Sequence, residues 1–375
     1  MGRILFIEDQ LTGSIPTIIK LFSPIFKDER TITLLKNIQN DKYKTPELII
    51  GVCSSTSCLD ICHKFVNALS KALYYYNEYD LIIIDRNLSE VPYHEDLQDI
   101  KEYLQKCGFS DVDKKIDMYT TREGDLILLA LLRLDRNNKN KIYYLTANID
   151  ELKGSPELET LIDVDDFYRN HIIEKTTDKD KVLTEIVANL ESFSIQNRFA
   201  THVKILRNRL NEDEVDLFVN MIRHYDNDSR REFIIYLRKI LDNLMHHIAG
   251  KMNEPNASYW NKANPDQLIV KTFIKGFYAK DNDYLGRFSC GLPVFDQKHS
   301  IGYSSIVRNA CLSIFEICSD CGIHDLNTVI SPEGVNINYL TEHTMKSMLN
   351  QICDVILWYD KAIVNMQKAS EITHE

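Results

Sequence analysis

The stretch Tyr79-Asp80-Leu81-Ile82-Ile83-Ile84-Asp85-Arg86-Asn87-Leu88 decides the fold. Its apolar run is nearly continuous and closes on an acid. A strand buried on both faces reads this way, whereas a half-exposed strand alternates apolar with polar. Such strands belong to parallel sheets covered by helices, so the chain on either side should alternate strand and helix. It does. Arg3-Ile4-Leu5-Phe6-Ile7 is a short apolar run ending in Glu8-Asp9. Residues 12–26 carry apolar side chains at helical spacing, with Pro16 and Pro24 fixing the ends or bending the helix. The pattern then predicts a polar helix over 29–40, a second strand over 48–53 and a periodic helix over 59–76. Beyond Asp85 it predicts a helix over 124–134 and a fourth strand over 141–145. A helix over 158–168, a fifth strand from 171 and a helix over 180–193 complete the series. Five strands interleaved with helices predict a doubly wound α/β domain over residues 1–197.

After about residue 197 the pattern changes. Helix-period segments dominate at 203–224, 230–252, 265–279, 304–321 and 341–366, and strand signals nearly vanish. An all-helical domain is expected over 198–375. The total of 375 residues suits two domains at roughly 100–200 residues each. Hydrophobic residues at 44% and charged residues at 26% are an ordinary globular balance, which excludes a disordered or fibrous chain.

The net charge of −11 leaves neither half basic, so the electrostatic footprint of a DNA- or RNA-binding domain is missing. That disfavours a DNA-binding regulator and makes a nucleic-acid partner unexpected. No apolar run approaches a membrane span, and the N-terminal apolar run is too short for a secretory signal. Phe6 stands where a myristoylation signal after Gly2 requires Ser or Thr. Nine scattered cysteines, an odd number, suit reduced thiols in a cytoplasm.

The chemistry-bearing residues follow the strands. Glu8 and Asp9 follow the first, Asp85 the third, Thr146 the fourth and Lys175 the fifth. In an open parallel sheet, ligands bind beyond the carboxyl ends of the strands. Three carboxylates converging there repel one another unless a cation lies between them, and hard oxygen donors suit Mg²⁺. A carboxylate beside Mg²⁺ and a lysine is placed to attack a phosphoryl donor. Taken singly, each residue also has a plain reading: Asp85 as a helix cap, Thr146 as a turn residue, Lys175 as a solvated charge.

As an ordered set they resemble the receiver domain of bacterial response regulators. The resemblance covers about residues 1–195. It rests on Ile4-Leu5-Phe6-Ile7-Glu8-Asp9, Asp85-Arg86-Asn87-Leu88, Leu145-Thr146-Ala147 and Glu174-Lys175, with Gly124 and Leu126–Leu129 similar to the family's helix-opening Gly-Leu-Leu stretch. The resemblance implies a five-stranded flavodoxin-like sheet with Asp85 as phosphoryl acceptor. It implies that Glu8, Asp9, the Asp85 carboxylate and the Asn87 backbone carbonyl hold Mg²⁺. Thr146 would hydrogen-bond the phosphoryl group and Lys175 would pair with it. Asn87 and Asn148 fall two residues beyond the acceptor and the hydroxyl, where the family adjusts water access to the acyl phosphate. The phosphoryl donor would be a histidine kinase or another phosphodonor.

The chain also departs from that pattern. Extra residues lie near 27–46 and across 89–123, and the second insertion is expected beside the site as a lid or docking surface. Thr176 stands where the family has a proline after the lysine, and Ile172 where it has a switch aromatic. These departures allow a pseudo-receiver that never takes a phosphoryl group and serves as an interaction module.

In the second half, Arg238-Lys239-Ile240-Leu241 on one helix and Gly322-Ile323-His324 after another resemble helical HEPN-like domains. Some of those dimerise, and some are ribonucleases with an Arg-x(4–6)-His motif. Here Ser319 lies five residues before His324, and no arginine falls at that spacing, so Arg308 or Arg238 would have to supply the cation in space. Cys318, Cys321 and His324 offer three zinc-type ligands, but a structural site needs four, and buried cysteines with a helix-terminal histidine explain them more simply. The expectation is a two-domain signalling protein. Its Mg²⁺-dependent receiver controls a helical output domain that binds a protein partner and forms a homodimer.

Overall fold

The computed structural model describes residues 2–26, 28–88, 96–146, 156–175, 180–252, 260–276, 305–321 and 340–372. The chain divides into two compact units, Met1–Asn197 and Arg198–Glu375. The first runs β1 (Ile4–Ile7), α1 (Ile15–Phe22), α2 (Glu29–Gln39), α3 (Pro46–Cys53), β2 (Leu59–Cys62), α4 (Phe65–Tyr75) and β3 (Leu81–Ile84). It continues with α5 (Leu97–Lys106), α6 (Val112–Met118), α7 (Glu123–Leu134), β4 (Ile142–Thr146), α8 (Pro156–Leu161), α9 (Val164–His171), β5 (Ile172–Glu174), α10 (Asp180–Ala188) and α11 (Leu190–Arg198).

The five strands form one parallel sheet in the order β2-β1-β3-β4-β5. Strand periodicity sorts their side chains. Leu5, Ile7, Ile82, Ile84 and Tyr144 face the layer of α4 and α7. Ile4, Phe6, Leu81, Ile83 and Leu145 face the layer of α1 and α10. Both faces are therefore covered, which is why these strands read as continuous apolar runs. The chain crosses from one side of β1 to the other between β2 and β3, and at such a switch point a crevice opens beyond the carboxyl ends of the strands.

The second strand lies elsewhere than expected. Residues 46–53 are the helix α3, and Leu59–Cys62 is the strand. A six-residue apolar run does not separate strand from helix by periodicity. Pro46 at the helix start and Glu47 in its first turn favour the helix. Leu59–Cys62 looked like the opening of a long helix because Asp60 interrupts it. Asp60 is satisfied at the sheet edge instead, accepting from Arg3 at 2.7 Å and from the Tyr79 hydroxyl at 2.8 Å.

Two long helical predictions are each broken by a cap. Asp163 accepts from the Asp166 amide at 3.1 Å and starts α9. Asn211 accepts from the Glu214 amide at 3.1 Å and starts a new helix in the second unit.

The insertion over 89–123 is described from residue 96 onward. There α5 and α6 bury Ile100, Leu104, Val112 and Ile116 in the core that contains α7. Of the two, α5 packs on α4, while α4, α6 and α8 all pack on α7. This explains why α7 is buried from Glu123 through Leu132, on every face.

The second unit comprises α12 (Ala200–Arg209), α13 (Glu212–Asp226), α14 (Arg230–Met252), β6 (Trp260–Asn261), β7 (Asn264–Leu268), α15 (Val270–Gly276), α16 (Ser305–Asp320) and α17 (Glu342–Ile372). It is mostly helical but not all-helical. The helix expected over 265–279 is found over Val270–Gly276, while its first residues belong to β7, which forms an antiparallel hairpin with β6. The Asn261 side chain accepts from the Ala263 amide at 2.9 Å and donates to Gln267 at 2.7 Å, so a local Asx turn outcompetes the helix. Phe218, Phe233, Leu237, Leu241, Ile314, Ile352 and Tyr359 are buried in the unit. Among the described residues no helix is long and apolar enough to cross a membrane.

Candidate active site

The backbone ladder extends past the strands and fixes the residues that follow them. The Glu8 amide donates to the Cys62 carbonyl at 3.0 Å, and the Asp85 amide to the Ile7 carbonyl at 2.8 Å. The Lys175 amide donates to the Thr146 carbonyl at 2.9 Å. Glu8, Asp9, Asp85 and Thr146 are all buried. One carboxylate oxygen from each of Glu8, Asp9 and Asp85 lies within 4.8 Å of the others. The Lys175 ammonium reaches Glu8 Oε2 and Asp85 Oδ2, both at 2.7 Å. Two strands thus supply the acids at the switch point, and a third supplies the cation.

The charges are unbalanced. Burial, reinforced by the Asp85 charge, pushes the Glu8 carboxyl well above its ordinary range, against the pull of Lys175. Burial lowers the Lys175 ammonium, but Glu8 and Asp85 outweigh it and hold the ammonium above its ordinary value. Three carboxylates share one ammonium, and a divalent cation with hard oxygen donors fits that deficit. Among the described residues this is the one group of three potential ligands so gathered, and Cys318 and Cys321 gather no third.

Around Asp85 lies a second set of groups that sequence reasoning missed. The Arg86 amide donates to Asp85 Oδ1 at 2.7 Å. The Arg86 guanidinium, one position on, points into the layer of α7, where it meets Asp125 Oδ2 at 3.1 and 3.2 Å. The Tyr144 hydroxyl donates to Asp125 Oδ1 at 2.9 Å. Glu123, also buried, accepts from the Leu88 amide at 3.2 Å and from the Thr121 amide at 3.1 Å. Thr121 holds a φ of 74°, a left-handed conformation rare for a β-branched residue, at the entry to α7.

Gly124 donates its amide to the Arg86 carbonyl at 2.9 Å. A Cβ there would strike the Asp85 carbonyl oxygen and stand 2.9 Å from Arg86 Cα, so the close approach requires glycine. The signal for this set was present in Glu123-Gly124-Asp125, two acids opening an otherwise apolar helix. Its partner, Arg86, lies 39 residues away.

Asn87 follows Arg86 and is exposed. Ile172 opens β5, is buried, and pairs with Tyr144 across the sheet. Asn148 and Thr176 lie outside the described residues. In the second unit Arg308 is half-buried on α16, and His324 lies outside the described residues. Arg238 forms a buried ion pair with Asp242 at 2.7 Å, stacks over the Phe315 ring at 3.8 Å and donates to Ser319 Oγ at 3.4 Å. The Cys318 thiol contacts the Ile234 carbonyl at 3.7 Å, and burial pushes it far up, so it is a core residue. Comparison with protein-family models, with curated proteins and with solved structures found no match.

Proposed function

We propose that residues 1–197 form a receiver with the flavodoxin-like strand order, which accepts a phosphoryl group on Asp85. The observation that carries this reading is Lys175 held at 2.7 Å from both Asp85 and Glu8, with Asp9 beside them, at the switch point of a parallel sheet. Glu8, Asp9, the Asp85 carboxylate and the Asn87 carbonyl are the groups to hold Mg²⁺. When bound, Mg²⁺ offsets the charge of the acids and of the incoming phosphoryl oxygens.

An Asp85 carboxylate oxygen attacks the phosphorus of a phosphohistidine or a small acyl phosphate. The new O–P bond forms as the donor's N–P or O–P bond breaks, and the leaving group keeps the electron pair: a leaving histidine imidazole takes up a proton, whereas a leaving carboxylate stays ionised. Lys175 follows the charge from the carboxylate to the phosphoryl oxygens. Thr146, at the end of the neighbouring strand, donates its hydroxyl to them. Such transfer depends mainly on positioning and charge neutralisation, which these residues provide. The helical unit acts as output through protein contact and dimerisation.

Beryllofluoride, a phosphoryl mimic, tests the site without turnover. With Mg²⁺ present, fluorine NMR should show bound resonances that disappear in Asp85→Ala. A spectrum identical to that of the variant would reject the acceptor role. Ile172 in place of an aromatic favours a second reading, a constitutive interaction module, which that negative result would select.

A further inference from the structure

Two donors orient the Asp85 carboxylate, and they differ in kind. Lys175 holds Oδ2 from the end of a flexible stem, while the Arg86 amide holds Oδ1 at 2.7 Å from the backbone. The direction of that amide is only as fixed as Arg86 itself. The Arg86 side chain is 3% exposed, so its guanidinium needs an anionic partner. Asp125, 1% exposed, provides one through two hydrogen bonds, and Tyr144 holds the other Asp125 oxygen. Tyr144 lies on β4, two residues before Thr146.

We infer that Asp125 is a positioning residue for the acceptor: through Arg86 it fixes the amide that orients the Asp85 carboxylate, and through Tyr144 it ties that amide to the strand carrying Thr146. The inference rests on the acceptor role proposed above. The Asp125 carboxylate meets the Arg86 guanidinium and the Tyr144 hydroxyl, so its role is exerted through Arg86. Glu123 and Gly124 grip the same turn from the same helix end, at the Leu88 amide and the Arg86 carbonyl. Three successive residues at the beginning of α7, Glu123, Gly124 and Asp125, thereby hold the acceptor turn at Arg86 and Leu88.

The test uses the full chain, wild type, Asp125→Asn and Tyr144→Phe, with two readouts. One is the amide resonance of Arg86 in arginine-labelled protein, assigned with Arg86→Lys and recorded without any phosphodonor. The other is the rate of phosphoryl uptake from acetyl phosphate with Mg²⁺. The Arg86 amide should move in both variants. Uptake at saturating donor should slow about tenfold or more in Asp125→Asn, since misplacing a reacting group by about 1 Å costs up to about 100-fold. The donor concentration giving half-maximal rate should stay unchanged, and the fraction loaded at long times should match wild type, whereas a general loss of folding would lower that fraction.

Should Asp125→Asn fail to fold, Tyr144→Phe carries both readouts by itself. An Arg86 amide that stays in place in a folded variant overturns the inference, and so does one that moves while uptake remains at the wild-type rate. A wild type that takes up nothing refutes the acceptor role itself, and with it the inference, whereas a wild type that loads confines any failure to Asp125.

Discussion

Asp85 has no chemistry alone; its neighbours decide what it can do. Lys175 and the Arg86 amide each hold one of its oxygens, and Gly124 lets α7 press against its carbonyl. Gly124→Ala forces backbone against backbone, so it should destabilise the fold by about 1–3 kcal/mol, visible as a lower thermal midpoint. Asp125→Ala leaves the buried Arg86 guanidinium uncompensated and should cost about 3–5 kcal/mol, measured by denaturant unfolding. In the second unit, burial raises the Glu214 carboxyl above its ordinary value, although Asn243 donates to it at 2.7 Å. An acid whose value is raised on folding loses stabilising effect as the pH rises through that value. Glu214→Gln should therefore gain thermal midpoint relative to wild type between about pH 4 and pH 8, and a difference that stays flat over this range would contradict the assignment.

Among the elements, the described part of the insertion is firmly packed, since α5 and α6 share a core with α7. Leu104→Ala should cost about 2–5 kcal/mol, and the α5 amides should exchange as slowly as those of α7. Amides exchanging as fast as those of an exposed loop would contradict that packing.

The strands β1, β3 and β4 were legible because both faces are buried, leaving uninterrupted apolar runs closed by acids or a hydroxyl. β2 was not, because Asp60 breaks its run and finds its partners, Arg3, Lys71 and Tyr79, only once the sheet forms. The helix breaks at Asp163 and Asn211 could have been read from their capping side chains. The acids and Lys175 were legible because each follows the apolar run of a strand. The Arg86–Asp125–Tyr144 set was not, because it joins three elements that no local pattern connects.

At the scale of the whole molecule, one unit concentrates three buried carboxylates around one ammonium, and the other gathers a helical core around a buried Arg238–Asp242 pair. The first is the unit proposed to accept the phosphoryl group, and the second is the unit proposed as its output. Static light scattering before and after loading should show whether the output is a change in oligomer size. The central claim is the acceptor itself, and intact-mass analysis after incubation with acetyl phosphate and Mg²⁺ tests it most directly. The wild type should gain one phosphoryl group and Asp85→Asn none. An unchanged wild-type mass, or an equal gain in the variant, would contradict it.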